Sequence, residues 1–192
     1  MKLVCLDRDG TINVDVGYLG RNPSWREEIE IYDDIIPAIK LLNDREIPVV
    51  VITNQSGVAR GYFSIDRVRE VNEELDRRIR SQGACIDGWF FCPFVDEELL
   101  RLFDLPLTWL DTENMRKPAT GMVEAAIKKL GLTDPEVFFI GDKAVDAQTG
   151  INMKGTGILV QREHNDTEIG KARNMDDVII VESVTDAVRT VI

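Results

Sequence analysis

Five short apolar runs constrain this chain more than any other feature of it. Lys2 to Leu6 ends at Asp7, Ile47 to Ile52 ends at Thr53, Trp89 to Cys92 follows, Val137 to Ile140 meets Gly141-Asp142, and Gly157 to Val160 comes last. Runs this short, and apolar almost throughout, read as strands of a parallel sheet covered on both faces. Helical patterns lie between them: Ile35 to Arg45, Ile65 to Gln82 with apolar Val68, Val71, Leu75 and Ile79 on one side, and Thr120 to Leu130. Ser64 and Thr120 stand where side chains cap helix starts, and Gly83 and Gly131 where helices end. Strand and helix alternate, which predicts a doubly wound, Rossmann-like α/β fold with its chemistry at the carboxyl ends of the strands. With 192 residues, 44% of them hydrophobic, the chain suits a single domain over 1–192.

No apolar run approaches the roughly 18 residues a membrane helix needs, and the amino terminus lacks a signal-peptide pattern, so a soluble cytoplasmic protein without membrane association is expected. The three cysteines form no CxxC pair and read as reduced thiols. Twenty-three basic against thirty-four acidic side chains give a formal charge of −11, which repels nucleic acid. An acidic protein that handles phosphate must gather its cations locally or import a divalent metal.

Asp7, Thr53 and Asp142 each follow a strand directly. Any one of them is ordinary turn chemistry, but three converge on the edge where such a fold does its work. Asp7 and Asp9 flank a single residue and precede Gly10-Thr11. Two carboxylates so close stay ionised most easily around a hard cation, and few protein ligands suit Mg²⁺. One can then attack phosphorus while the other moves protons. A calcium loop also uses Asp-x-Asp-Gly, but Thr11-Ile12-Asn13-Val14 brings no glutamate to complete it. The loop from Thr53 through Asn54 and Gln55 to Arg60 and Gly61 offers hydroxyl, amide and backbone N–H groups to a phosphate, though it also reads as a plain turn. Pro118 stiffens the backbone behind Lys117, whose ammonium suits charge on a transferring phosphoryl group. Asp142 completes a metal shell, and Asp146 lies one turn along. His164, the sole histidine, sits in the polar stretch Arg162-Glu163-His164-Asn165-Asp166 and reads as a solvated loop residue.

In this order and spacing the pieces resemble the haloacid dehalogenase-like phosphatases over nearly the whole chain. The segments Asp7 to Asn13, Gly17-Tyr18, Thr53 to Gly57, Ala59 to Gly61, Arg116-Lys117-Pro118 and Gly121-Met122 are most similar to the group of D-glycero-D-manno-heptose 1,7-bisphosphate phosphatases and histidinol-phosphate phosphatases. The resemblance implies an aspartyl-phosphate on Asp7, with Asp9 as general acid and base. It implies Mg²⁺ held by Asp7, the backbone carbonyl of Asp9, and Asp142. Thr53, Asn54 and Lys117 would hold the phosphate, and Gln55, Arg60, Arg116 and Lys143 the rest of a small phosphorylated metabolite, with Asp146 in support of Lys117 or the metal. A monomer or weak homo-oligomer is expected.

That group often carries a zinc loop with Cys-x-His followed later by Cys-x-Cys. Here Cys92 remains, but Phe94, Glu113 and Met115 occupy the other positions. Structural zinc needs about four ligands, so no zinc is expected. The loop at about 92–116 should border the substrate pocket, with Glu97 to Phe103 as a short amphipathic helix and apolar packing in place of the metal. No large cap domain fits between Asp9 and the second strand. Competing readings are a histidinol-phosphate phosphatase, a polynucleotide 3′-phosphatase, which the charge opposes, and a receiver-like phospho-acceptor domain, which the Asp-x-Asp on the first strand opposes.

Overall fold

The computed structural model describes residues 1–192. Its elements in chain order are β1 (Lys2–Leu6), α1 (Ile35–Asn43), β2 (Val49–Asn54), α2 (Ile65–Ser81), β3 (Gly88–Cys92), α3 (Glu97–Leu102), α4 (Gly121–Leu130), β4 (Glu136–Gly141), α5 (Ala144–Asn152), β5 (Thr156–Val160), α6 (Asp166–Ala172), β6 (Val178–Val181) and α7 (Val184–Val191). The strands form one parallel sheet in the order β3-β2-β1-β4-β5-β6. Leu3 to Leu6 are wholly buried because β1 is central and both its faces are covered. One face packs under α1 and α7 through Leu6, Ile39, Ile140 and Val188; the other packs under α4 through Cys5, Ile52, Met122 and Phe139.

All five expected strands form, β1 over the expected residues and the other four with shifted ends. β2 starts at Val49 because Pro48 has no N–H for a ladder, although its carbonyl accepts from Val4 N at 3.0 Å. It runs on through Thr53 and Asn54, which pair with Phe91 and Cys92, so these two polar residues are the last rung of a strand and not a loop. Ser64 caps α2 by accepting from Arg67 N, whereas Thr120 does not cap α4, its hydroxyl donating instead to Glu124 at 2.6 Å. Gly131 closes α4 at φ 65°, a left-handed conformation that glycine adopts without strain.

Between β1 and α1 the chain forms no separate cap. Leu19, Trp25 and Ile29 fold down onto Val71 and Leu75 of α2. The 92–116 loop does contain the short helix α3, but the expected amphipathic burial does not follow: no residue of α3 is buried, and Leu102 is 69% exposed. The loop is pinned at its base, where Val95 is buried and exchanges backbone hydrogen bonds with Trp109 and Asp111. No helix is long and apolar enough to cross a membrane.

Candidate active site

β1 delivers Asp7 to the carboxyl edge of the sheet, and Lys117 reaches it from the start of the segment leading into α4. The Lys117 ammonium donates to Asp7 Oδ1 at 2.7 Å, to Asp146 Oδ1 at 2.6 Å and to the Ile52 carbonyl at 3.0 Å, so its three hydrogens are all used. Burial works against its charge, but Asp146 and Asp7 outweigh that and hold its proton more tightly than usual. Asn54 explains the placement of Lys117: its side chain accepts from Lys117 N at 3.0 Å and donates to Lys117 O at 3.2 Å. The amide that sequence assigned to phosphate therefore also fixes the backbone of the lysine.

Asp9 is surrounded by donors. Arg8 binds it through Nε at 3.2 Å and Nη2 at 2.7 Å, Asn13 Nδ2 donates at 3.1 Å, and Gln55 Nε2 at 2.8 Å. Burial raises its affinity for a proton, yet Arg8 and the amides more than reverse this and hold the carboxyl below its ordinary range. Gln55 also donates to Thr53 Oγ1 at 3.0 Å, so it ties Thr53 to Asp9 from its place in the cavity wall. Arg8 is itself fully buried and bonded to Asn72 of α2 at 2.9 Å. Arg8, Asn13 and Asn72 are site residues that the sequence reading missed. An arginine between two aspartates looks like a solvated charge, and nothing local reveals that α2 will close over it.

Oxygens of Asp7, Asp142 and Asp146 lie within 4.8 Å of one another, all three residues buried. Burial, and then the charge of Asp7, push the Asp142 carboxyl up to about 8; the same causes bring Asp146 to about 6. Asp146 has both oxygens engaged, one by Lys117 and the other by Lys143 N at 3.0 Å, which marks it as the partner of the lysine. Asp142 and Asp7 keep more oxygen lone pairs free. Gly10 makes their approach possible: at φ 91° it presses on Asp142 so closely that a Cβ there would lie 2.2 Å from Oδ2. Hard oxygen donors crowded beyond what nearby cations offset fit a divalent ion. The Asp9 carboxylate does not join this cluster.

Beside these groups opens a cavity of about 340 Å³, whose lining includes Asp7, Asp9, Thr53, Asn54, Gln55, Arg116, Lys117, Lys143 and Asp146, with Tyr18 and Val145 its only apolar members. Lys143 is paired there with Asp15 at 3.0 Å, and Arg116 with Asp96 at 3.1 Å. Arg60 does not line it. Its guanidinium stacks 3.8 Å from the Phe103 ring and bonds the hydroxyl of Tyr18, so it acts on the cavity only through Tyr18.

The chain is 34% identical, over 96% of its length and 94% of the relative's, to the D-glycero-beta-D-manno-heptose-1,7-bisphosphate 7-phosphatase of Pasteurella multocida. It belongs to the haloacid dehalogenase-like phosphatases. A family model described as HAD-hydrolase-like matches residues 114–187 of this phosphatase, the part holding Lys117, Asp142 and Asp146. The Haemophilus influenzae enzyme of the same name as the Pasteurella one is also 34% identical, over 80% of this chain and 77% of that one. A crystal structure of a putative HAD-like phosphatase from Mesorhizobium loti superposes with a TM-score of 0.73 at 30% identity, covering 99% of this chain and 87% of that one. The D,D-heptose 1,7-bisphosphate phosphatase of B. bronchiseptica, crystallised with magnesium and phosphate, shares the fold with a TM-score of 0.80 at 24% identity, covering 100% and 98%.

Where the sequence lacks the residues of a zinc loop, apolar side chains pack together. Cys92 is buried, and Phe94 and Met115 pack in the same apolar cluster with it. Phe94 also meets Trp109, ring centres 6.2 Å apart. Burial pushes the Cys92 thiol up to about 11, as befits a cysteine packed among apolar side chains.

Proposed function

We propose that this phosphatase hydrolyses a small sugar phosphate, a heptose bisphosphate, through an aspartyl-phosphate on Asp7. The observation that carries the proposal is Asp7 itself: a buried carboxylate at the end of the central strand, held by Lys117 at 2.7 Å and facing a polar cavity. Asp7 forms a bond to phosphorus as the bond to the sugar oxygen breaks, and Asp9 supplies the proton that oxygen takes up. Asp9 then accepts a proton from water as the water oxygen attacks phosphorus, and the bond to Asp7 breaks to release phosphate. Arg8, Gln55 and Asn13 keep Asp9 ionised at rest, so its proton-donating form belongs to the substrate complex. Lys117, Thr53 and the backbone around Asn54 face the reacting phosphoryl group. Asp7, Asp142 and the Asp9 carbonyl would hold Mg²⁺, which supplies Lewis-acid stabilisation of the phosphoryl oxygens.

A bisphosphate needs positive charge away from the reacting centre, and Arg116 and Lys143 provide it at the cavity wall. The curated relatives, at 34% identity over most of the chain, support the heptose reading. The test is phosphate release from heptose bisphosphate, histidinol phosphate and a 3′-phosphorylated oligonucleotide, with wild type and Asp7→Asn. The heptose bisphosphate is expected to give the highest kcat/KM, and Asp7→Asn to lose at least about a thousandfold in kcat with an unchanged circular dichroism spectrum. A preferred substrate of another class would end the heptose reading, and an active Asp7→Asn protein would end the mechanism.

A further inference from the structure

The polar stretch after β5, which the motifs leave without a role, touches both halves of the acidic site. The Arg162 guanidinium donates from Nε to the Gly10 carbonyl at 3.3 Å and from Nη2 to the Thr11 carbonyl at 3.1 Å. Its other side is held by both oxygens of Asp34, each at 3.1 Å, and its plane lies 4.0 Å from the Tyr32 ring centre. Three residues on, Asn165 donates to the Asp142 carbonyl at 2.9 Å and to Val160 O at 3.0 Å, and accepts from Arg162 N at 3.0 Å. One short segment thus binds the loop that follows the nucleophile and the loop that carries the opposing carboxylate. Those loops come from β1 and β4, and this segment braces both from outside the strand pairing that joins them.

We infer that Arg162 is a positioning residue that, together with Asn165, sets the register of the Asp7–Gly10 loop against Asp142. Two features give that register chemical weight. Gly10 rests against the Asp142 carboxylate with no room for a Cβ, and Thr11 Oγ1 donates to Asp142 Oδ1 at 3.2 Å, so a small slip of Gly10 and Thr11 changes the spacing of the paired carboxylates. The Arg162 side chain is 11% exposed, and a planar, doubly forked cation held by Asp34 on one edge presents its other edge to the two carbonyls in fixed geometry. A lysine has one nitrogen with three hydrogens and cannot make all four of these contacts, to both Asp34 oxygens and both carbonyls, in the same planar geometry.

The inference rests on Asp7 and Asp142 sharing a cation, as proposed above. Its test measures Mg²⁺ binding by titration calorimetry, and kcat and KM on p-nitrophenyl phosphate, for wild type, Arg162→Met and Arg162→Lys. Arg162→Met is expected to bind Mg²⁺ several-fold more weakly and to lose on the order of tenfold in kcat, with KM within about twofold, and Arg162→Lys to fall between it and wild type. Wild-type Mg²⁺ affinity and kcat in folded Arg162→Met overturns the inference. So does a lost kcat with unchanged Mg²⁺ affinity, because the carboxylates would then be in register without the arginine. Should Arg162→Met fail to fold, Arg162→Lys, which keeps the charge, decides alone: unchanged Mg²⁺ affinity and kcat overturns the inference. A wild-type protein that binds no Mg²⁺ removes the cation reading, and this one with it, without reference to any variant.

Discussion

Lys117 shows how much one side chain holds here. Its ammonium, 2% exposed, is the shared partner of Asp7 and Asp146. Replacing it with methionine leaves two buried carboxylates facing each other with no cation between them. Breaking a buried pair of this kind costs about 3 to 5 kcal/mol. Urea unfolding of Lys117→Met in EDTA is expected to show a loss of that size along with loss of turnover, and a variant as stable as wild type would mean that Lys117 does not compensate these charges. Lys117, like Asp7, Thr53 and Asp142, was legible in the sequence because each is polar beside a strand end or a proline. The roles of Asn54 and Gln55 were legible only in part: both line the cavity, but both also spend their hydrogen bonds on other site residues. Arg8 was not legible, since its burial depends on Asn72 approaching from another element.

Among the elements, α3 differs most from what its sequence suggests. Glu97-Glu98-Leu99-Leu100-Arg101-Leu102 has the look of a helix with a core-facing side, yet it stands on the surface and reaches the site through its flanking residues, Asp96 on Arg116 and Phe103 on Arg60. Phe103→Ala removes a stacking contact worth about 0.5 to 1 kcal/mol, and Arg60 in turn holds Tyr18 at the cavity. KM for a sugar bisphosphate should rise roughly two- to fivefold while kcat/KM on p-nitrophenyl phosphate, which lacks a sugar and a second phosphate, stays unchanged. Equal changes on both substrates would place Phe103 in general support of the site. The sheet core was readable because wholly apolar runs leave no other assignment. β6 escaped because its four residues, Val178–Val181, lie at the sheet edge and are only partly buried, and α5 because a helix that starts among site residues shows little apolar periodicity.

At the scale of the whole molecule, net charge and site charge act together. An Asp142 carboxyl raised from 3.8 to about 8 binds its proton more tightly in the folded than in the unfolded chain. Its contribution to stability is therefore complete at low pH and is lost as pH rises toward 8. In EDTA the melting temperature should fall between about pH 4 and about pH 8, and Mg²⁺ should raise it more at the upper end, where no proton has to be displaced. A Mg²⁺ shift that is larger at the lower end would show that Asp142 is not a ligand. The sheet order has a consequence for how such a molecule is made. Leu6, next to Asp7, pairs with Val51 on one side and with Ile140 on the other. During synthesis Asp7 leaves the ribosome long before Lys117 and Asp142 exist, and β1 has one open edge until β4 arrives. A nascent or prematurely ended chain thus carries Asp7, the proposed nucleophile, without the partners that would make it reactive, along with an apolar strand that chaperones and proteases can grip.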